Sequence, residues 1–244
     1  MRPFRKAGAP HGNIYERRRI ILEEIKISRL FDLDKTIAKE LLSRFEYPWE
    51  ALPHIKEFIL ETGKNLPPEE YYSPCENVWI SKSAKVAQSA SIEGPTIICA
   101  DADIKHCAYI RGSVIVGRGA VVGNSSEVKN SILFDGAKVP HFNYMGDSIF
   151  GAGAHMGAGC ITSNLKSDKT NVVVKGDGYK IETGLRKFGA MLGDFAEIGC
   201  NSVLNPGTII GRRASVYPTS SVRGVVKEDH IYKSANDIVE RKKL

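Results

Sequence analysis

The chain has 244 residues, 42% of them apolar, and a formal net charge of +6 at pH 7, which suffices for a packed core in one or two domains. No apolar run reaches the ~18 residues a membrane helix needs. The five cysteines lack C-x-x-C spacing, which argues against a disulfide framework or a zinc ribbon and leaves buried, reduced thiols as the expectation. Lys and Arg are scattered without interleaved aromatics, so no nucleic-acid groove is expected; a phosphorylated small molecule suits the same charge bias.

In chain order, residues 1–13 (MRPFRKAGAPHGN) are basic but lack the apolar core and cleavage site of a secretory signal. They read as a flexible leader of a cytoplasmic protein. Residues 14–75 read as a helical region followed by a linker. IYERRRIILEEIKI is followed by DKTIAKELLSRF with Asp34 as N-cap, then by WEALPHIKEFILETG with Gly63 as C-cap. These amphipathic helices are expected to pack on something. The Pro-rich NLPPEEYYSPCEN, 65–77, then marks a boundary near residue 75.

From Ile80 an apolar side chain returns every sixth residue: Val86, Ile92, Ile98, Ile104, Ile110, Val116, Val122, Val128 and Phe134. A second run goes from Leu192 through Ile198, Leu204, Ile210 and Val216 to Val222. A small residue lies four positions after most of these anchors, as at Ala84, Ala102 and Ser202. A period of six is neither helical nor that of a half-buried strand; it signifies a solenoid of short stacked parallel strands. The pattern is that of a left-handed parallel β-helix of hexapeptide repeats, predicted for 76–228 in a mainly β protein. The inward anchors fill a triangular prism, and Gly or Asn turns its corners.

Between Phe134 and Leu192 the period slips: Val139, Met145, Phe150 and Met156 are followed by an insertion at about 164–190. VVVKGDGYKI within it reads as a hairpin projecting from the solenoid. Residues 229–244 are expected to add a final strand and a short basic helix that caps the open end.

Chemistry concentrates in the interruption. His141 follows Pro140 at an irregular turn, and an imidazole suits proton removal near neutrality. Tyr144 lies three residues on, and Asn164 sits in a polar turn. Arg111 and Lys129 each follow an anchor and point outward, where together they suit a phosphate. Each alone is more often a solvated charge.

SEVKNSILFDGAKVPHFNYMGDS and HMGAGCITSNLKSDK resemble the acetyltransferase domain of the bifunctional N-acetylglucosamine-1-phosphate uridylyltransferase/glucosamine-1-phosphate acetyltransferase family. ETGLRKFGAMLGD is similar to archaeal-type sugar-1-phosphate nucleotidylyltransferases, and EYPWEAL resembles their connector. The resemblance implies an acetyl-CoA-dependent N-acetyltransferase of UDP-N-acetylglucosamine biosynthesis, acting on an amino-sugar 1-phosphate, glucosamine-1-phosphate first among them. It implies His141 as general base, with Glu127 and Asn164 also at the catalytic centre. It places Arg111, Lys129, Tyr144, His155 and Lys169 around the sugar phosphate, and Ala158, Cys200, Tyr217 and Pro218 along acetyl-CoA, the Ala158 N–H facing the acyl oxygen. It further implies a homotrimer with sites between neighbouring β-helices.

His155, Cys200, Lys169 and the Tyr217–Pro218 pair depart from the bacterial pattern, which bears on sugar choice and acetyl-CoA affinity. No G-x-G-T-R phosphate loop is present, so uridylyl transfer is not expected. No metal is expected: His106, His141 and His155 lack the spacing of the zinc sites built on this fold. No membrane partner is expected. The alternatives are a non-catalytic hexapeptide scaffold and an acetyltransferase of a nucleotide-linked amino sugar.

Overall fold

Each hexapeptide contributes one short strand, and three strands close a triangular coil. In the computed structural model, which describes residues 23–242, the coils stack into a parallel β-helix of three faces. The leader and residues 14–22 of the first predicted helix lie outside the described residues. The first face runs from Val78–Ser81 through Thr96–Ile98 and Val114–Val116 to Val225–Val226. The second includes Ser91–Glu93, Tyr109–Arg111, Ile161–Thr162, Val203–Leu204 and Ser221–Val222. The third runs from Lys85–Val86 through Lys138–His141, His155–Met156 and Glu197–Ile198 to His230–Ser234. Two longer strands, Glu127–Leu133 and Tyr144–Phe150, run from the second face into the first.

The anchors fill the prism as the period demands, with one slip. Phe134 was expected inside, but Leu133 takes the interior place and Phe134 lies outside, in the layer beneath the helices. The cause is the tightened corner at Asn130, whose φ of 42° lets Glu127–Leu133 turn without breaking its ladder and shortens the step from Val116 to Leu133. Asp147, at φ 48°, does the same one coil later.

A second periodicity explains the helices. On the first face the residue before the inward anchor is also aliphatic: Ile97, Ile115, Ile132, Ile149, Met191 and Ile209, all fully buried. This outward ladder packs against Ile55, Ile59, Leu41, Trp49 and Phe31 of the N-terminal region, so the amphipathic segments cover one side of the solenoid. The local signals there differ from expectation. Asp34 is not an α-helical N-cap; Asp32 accepts from the Asp34 N–H and caps a 3-10 turn at Leu33–Lys35. The α-helix Lys39–Leu42 begins without a side-chain cap. Gly63 lies inside the helix Ile55–Lys64 rather than ending it. A Cβ there would stand 2.4 Å from the Trp79 ring, so this glycine serves the close approach of helix to sheet.

Asp194 fastens the layer. Its carboxylate, 3% exposed, accepts from the N–H groups of Asp32 and Ala152 at 2.8 Å each and pairs with Arg212 at 3.0 Å. Burial pushes its pKa up, against the pull of those N–H groups and of Arg212. Asp194→Ala removes the acceptor of two N–H groups and should cost about 2 kcal/mol. The check is a lower urea midpoint with faster proteolysis within residues 23–64.

At the C-terminus the described residues form no helix, contrary to expectation. His230–Ser234 pairs antiparallel with Asp237–Glu240, whose adjacent β-branched residues Ile238 and Val239 suit a strand laid on the last exposed ladder. At the other end Tyr71–Tyr72, inside the expected linker, pairs with Ser81 and Ile80. The thiols also correct the expectation: all five are free, but only Cys99 and Cys160 are buried, while Cys75, Cys107 and Cys200 are exposed. Burial pushes the Cys99 thiol up to about 12.

Candidate active site

The strand register brings most of the candidate residues onto the second face and the corner that precedes it. Glu127 stands in register with Tyr109 below and Tyr144 above, and Glu93 with Arg111. Arg111 therefore reaches diagonally to Glu127, with Nη1 to Oε1 at 2.6 Å, and its guanidinium lies 5.9 Å from the Tyr109 ring centre. That ion pair holds the Arg111 pKa up.

Asp147 organises the next coil. Its buried carboxylate receives Lys129 Nζ at 3.3 Å, Asn130 Nδ2 at 2.9 Å and the Asn164 amide. Asn164 Nδ2 also donates to the Tyr144 hydroxyl at 3.2 Å. Tyr144 and Asn164 lie over Gly146, where a Cβ would be 2.6 Å from the Tyr144 oxygen and 2.8 Å from the Asn164 nitrogen. Burial raises the Tyr144 pKa, so the phenol keeps its proton at neutral pH. Arg111, Glu127, Lys129, Tyr144 and Asn164 thus share one surface, and each of the two cations is already held by a carboxylate.

The corner between the third and second faces carries a second alignment. One backbone bond repeats there: Gly159 N donates to His141 O at 3.0 Å, Asn201 N to Ala158 O at 2.8 Å and Thr219 N to Cys200 O at 2.8 Å. His141, Ala158, Cys200 and Pro218 therefore occupy equivalent places in successive coils, each step about 4.8 Å along the axis. His141 and Cys200 are exposed, and Tyr217, 47% exposed, projects beside the far end. Pro218 fits the row because this corner position lends its carbonyl, not its N–H, to the stack. His106 belongs to the same row, two coils before His141.

Two candidates stand apart from the second-face cluster. His155 lies on the third face, its Nδ1 2.9 Å from Glu197 Oε2, in register with Lys138. Lys169 sits at φ 58° in the turn closed by its own N–H to Lys166 O and makes no polar contact with the cluster.

Two residues escaped the sequence reading. Asp147 was not among the candidates. Asn143 occupies the corner column filled elsewhere by Ala108, Ser126 and Cys160, and its side chain is buried. It accepts from the His141 N–H at 2.9 Å and donates to Gly157 O at 2.8 Å, bracing the turn that presents the imidazole. An amide in a column of Ala, Ser and Cys was the available signal. Asn143→Ala should cost about 1–2 kcal/mol by leaving buried backbone groups unpaired, read as a lower thermal midpoint.

The insertion is pinched shut at this site. Phe188 N donates to Asn164 O at 3.0 Å, and Leu165 pairs with Lys187. Phe188 then stacks on Trp49 at 5.8 Å, and Trp49 on Tyr47 at 4.7 Å. The connector EYPWEAL therefore buttresses the base that fixes Asn164. The expected hairpin forms from Val173–Gly176 and Tyr179–Glu182.

Residues 92–189 match the family model described as the GMPPB C-terminal domain. A bifunctional sugar-1-phosphate nucleotidylyltransferase/acetyltransferase of Sulfurisphaera tokodaii is 30% identical over 232 residues, which is 87% of this chain and 57% of that protein. The bifunctional protein GlmU of Methanococcus vannielii is 34% identical over 202 residues, 80% of this chain and 48% of the relative. The chain spans about half the length of these relatives. Among solved structures, the acetyltransferase domain of PglB from Neisseria gonorrhoeae overlaps with a TM-score of 0.34 at 15% identity, over 77% of this chain and 65% of that one. The resemblance drawn from the motifs thus extends over most of the chain, which is similar in sequence to the bifunctional sugar-1-phosphate nucleotidylyltransferase/acetyltransferases.

Proposed function

We propose that the chain is an acetyl-CoA-dependent N-acetyltransferase acting on an amino-sugar 1-phosphate, with glucosamine-1-phosphate as the first candidate. One observation carries this reading: the corner row through His141 adjoins the second face, whose outward side carries Arg111 and Lys129. An acyl donor laid along the row and a sugar phosphate on the cluster would meet at the imidazole. The similarity to a bifunctional sugar-1-phosphate nucleotidylyltransferase/acetyltransferase supports an acetyl transfer.

In this reading the guanidinium and ammonium receive the phosphate with the donors that Glu127 and Asp147 leave free. Tyr144 and Asn164 position the sugar. His141 takes a proton from the amine as nitrogen attacks the thioester carbonyl, and the Ala158 N–H receives the developing oxyanion. Collapse then forms the amide and releases coenzyme A as thiolate. Ala158, Cys200, Tyr217 and Pro218 line the path of the donor. Phe142, 63% exposed, and Ile161, 41% exposed, border the same corner and suit burial against a neighbouring copy in a homotrimer.

The test is thiol release from acetyl-CoA with glucosamine-1-phosphate, galactosamine-1-phosphate and free glucosamine. Turnover that requires the 1-phosphate is the expected result. Silence on all three, together with no calorimetric binding of acetyl-CoA, would overturn the assignment.

A further inference from the structure

Beyond the cluster and the row, the surface has a recess whose charged lining is entirely basic. It lies between the inserted hairpin and the last coils and is lined by Lys166, Val173, Lys175, Pro206, Arg223 and Gly224. The recess is a built feature. Gly224, at φ 81°, lies directly beneath the hairpin, where a Cβ would stand 2.6 Å from Lys175 O. Gly207, at φ 80°, makes the same room beneath Val172 at 2.8 Å. Val172 and Val174 join the buried outer layer, with Val225 packed against it, so the strand that carries Lys175 is fixed against the coil that carries Arg223.

The charges are unbalanced. Lys166 is engaged by Asp168 at 3.4 Å and by Thr170. Among the described residues neither the Lys175 nor the Arg223 side chain has an ion-pair or hydrogen-bond partner. Lys175 also stands directly opposite Lys180 in the hairpin, a like-charge cross-strand pair that is unfavourable without a counter-charge. Arg223 follows the inward Val222, as Lys129 follows Val128 and Arg111 follows Ile110, so the outward row that bears cations beside Tyr144 ends in another cation several coils away.

We propose that this recess is a phosphate-binding site, in which Lys175 and Arg223 hold one phosphate group of a phosphorylated small molecule. The volume, about 90 Å³, suits one tetrahedral anion rather than a nucleoside, since sites for whole small molecules start at roughly 300 Å³. Arg223 supplies a planar fork of donors and Lys175 a point charge. The group comes either from the acyl donor, as the 3′-phosphate of coenzyme A, or from a separate phosphorylated metabolite. The site rests on the recess and its free cations and does not depend on acetyl transfer.

The experiment titrates the full chain with inorganic phosphate and pyrophosphate at low salt by calorimetry, in wild type, Arg223→Gln and Lys175→Gln, with circular dichroism to show that each variant is folded. Saturable binding of pyrophosphate that weakens at least tenfold in both variants is expected. Coenzyme A and dephospho-coenzyme A are then compared. A tenfold preference for coenzyme A that Arg223→Gln erases identifies the donor as source; equal binding of the two, with pyrophosphate binding intact, identifies a separate metabolite. No saturable pyrophosphate binding, or binding unchanged in both folded variants, overturns the site.

Discussion

Alanine at His141 is expected to lower acetyl transfer by about 10²–10⁴-fold, the usual contribution of a positioned general base, with little change in stability. The backbone supports that separation. His141 contributes its N–H to Asn143 and its carbonyl to Gly159, and both survive the substitution, while the exposed imidazole is not part of the core. Progress curves of thiol release and urea unfolding of the same preparation check the two halves. If transfer persists within threefold of wild type, His141 is not the base. If activity and folding fall together, the loss reports the turn and not the chemistry, and His141→Gln, which keeps a polar side chain in that turn, decides between them.

The largest effect on stability is expected at Gly123. A Cβ built there would stand 1.6 Å from the carbonyl oxygen of Pro140 and 2.1 Å from its carbonyl carbon. Both are backbone atoms in the next coil, held by the pairing of Val121–Asn124 with Lys138–His141, so no side chain can swing aside. Gly123→Ala should destabilise by about 3 kcal/mol or more, at the upper end of overpacking. The measurement is the urea midpoint at unchanged slope. Because the clash falls on the residue before His141, whatever folds should also transfer acetyl groups slowly. A loss below about 1 kcal/mol would show that the two coils are not packed as described.

The solenoid was legible because its signal is redundant: many inward anchors repeat one chemical requirement, and a single exception leaves the period intact. Phe134 shows the limit. Its aliphatic predecessor Leu133 was equally eligible, and only the left-handed corner at Asn130 decides between them. The covering of the first face was also written in the chain, as the apolar residue before every third anchor, but a search for a period of six passes over a period of three hexads. Gly63 was misread for a different reason. A glycine near the end of a helical pattern suggests a cap, whereas Trp79 lies far away in sequence and comes to rest on it. At the candidate site, His141, Tyr144 and Asn164 were visible because they break a repeat. Asp147 and Asn143 were not, since Asp and Asn are ordinary corner residues and their partners are supplied by neighbouring coils. Lys169 had only the family resemblance to support it, against a spacing one residue short, and among the described residues it makes no polar contact with the cluster.

The stacked corner positions at His141, Ala158, Cys200 and Pro218 also make the protein a ruler. Its graduations are whole coils of about 4.8 Å, and intermediate lengths are not available without breaking the ladder. A shift of one residue would turn an anchor outward, whereas duplication or removal of an entire eighteen-residue coil beyond Met156 would move Tyr217 by one graduation and leave His141 where it is. If the row carries the acyl donor as proposed, the distance from His141 to the far end of that path can therefore change only in quantised steps, while the imidazole stays where it is.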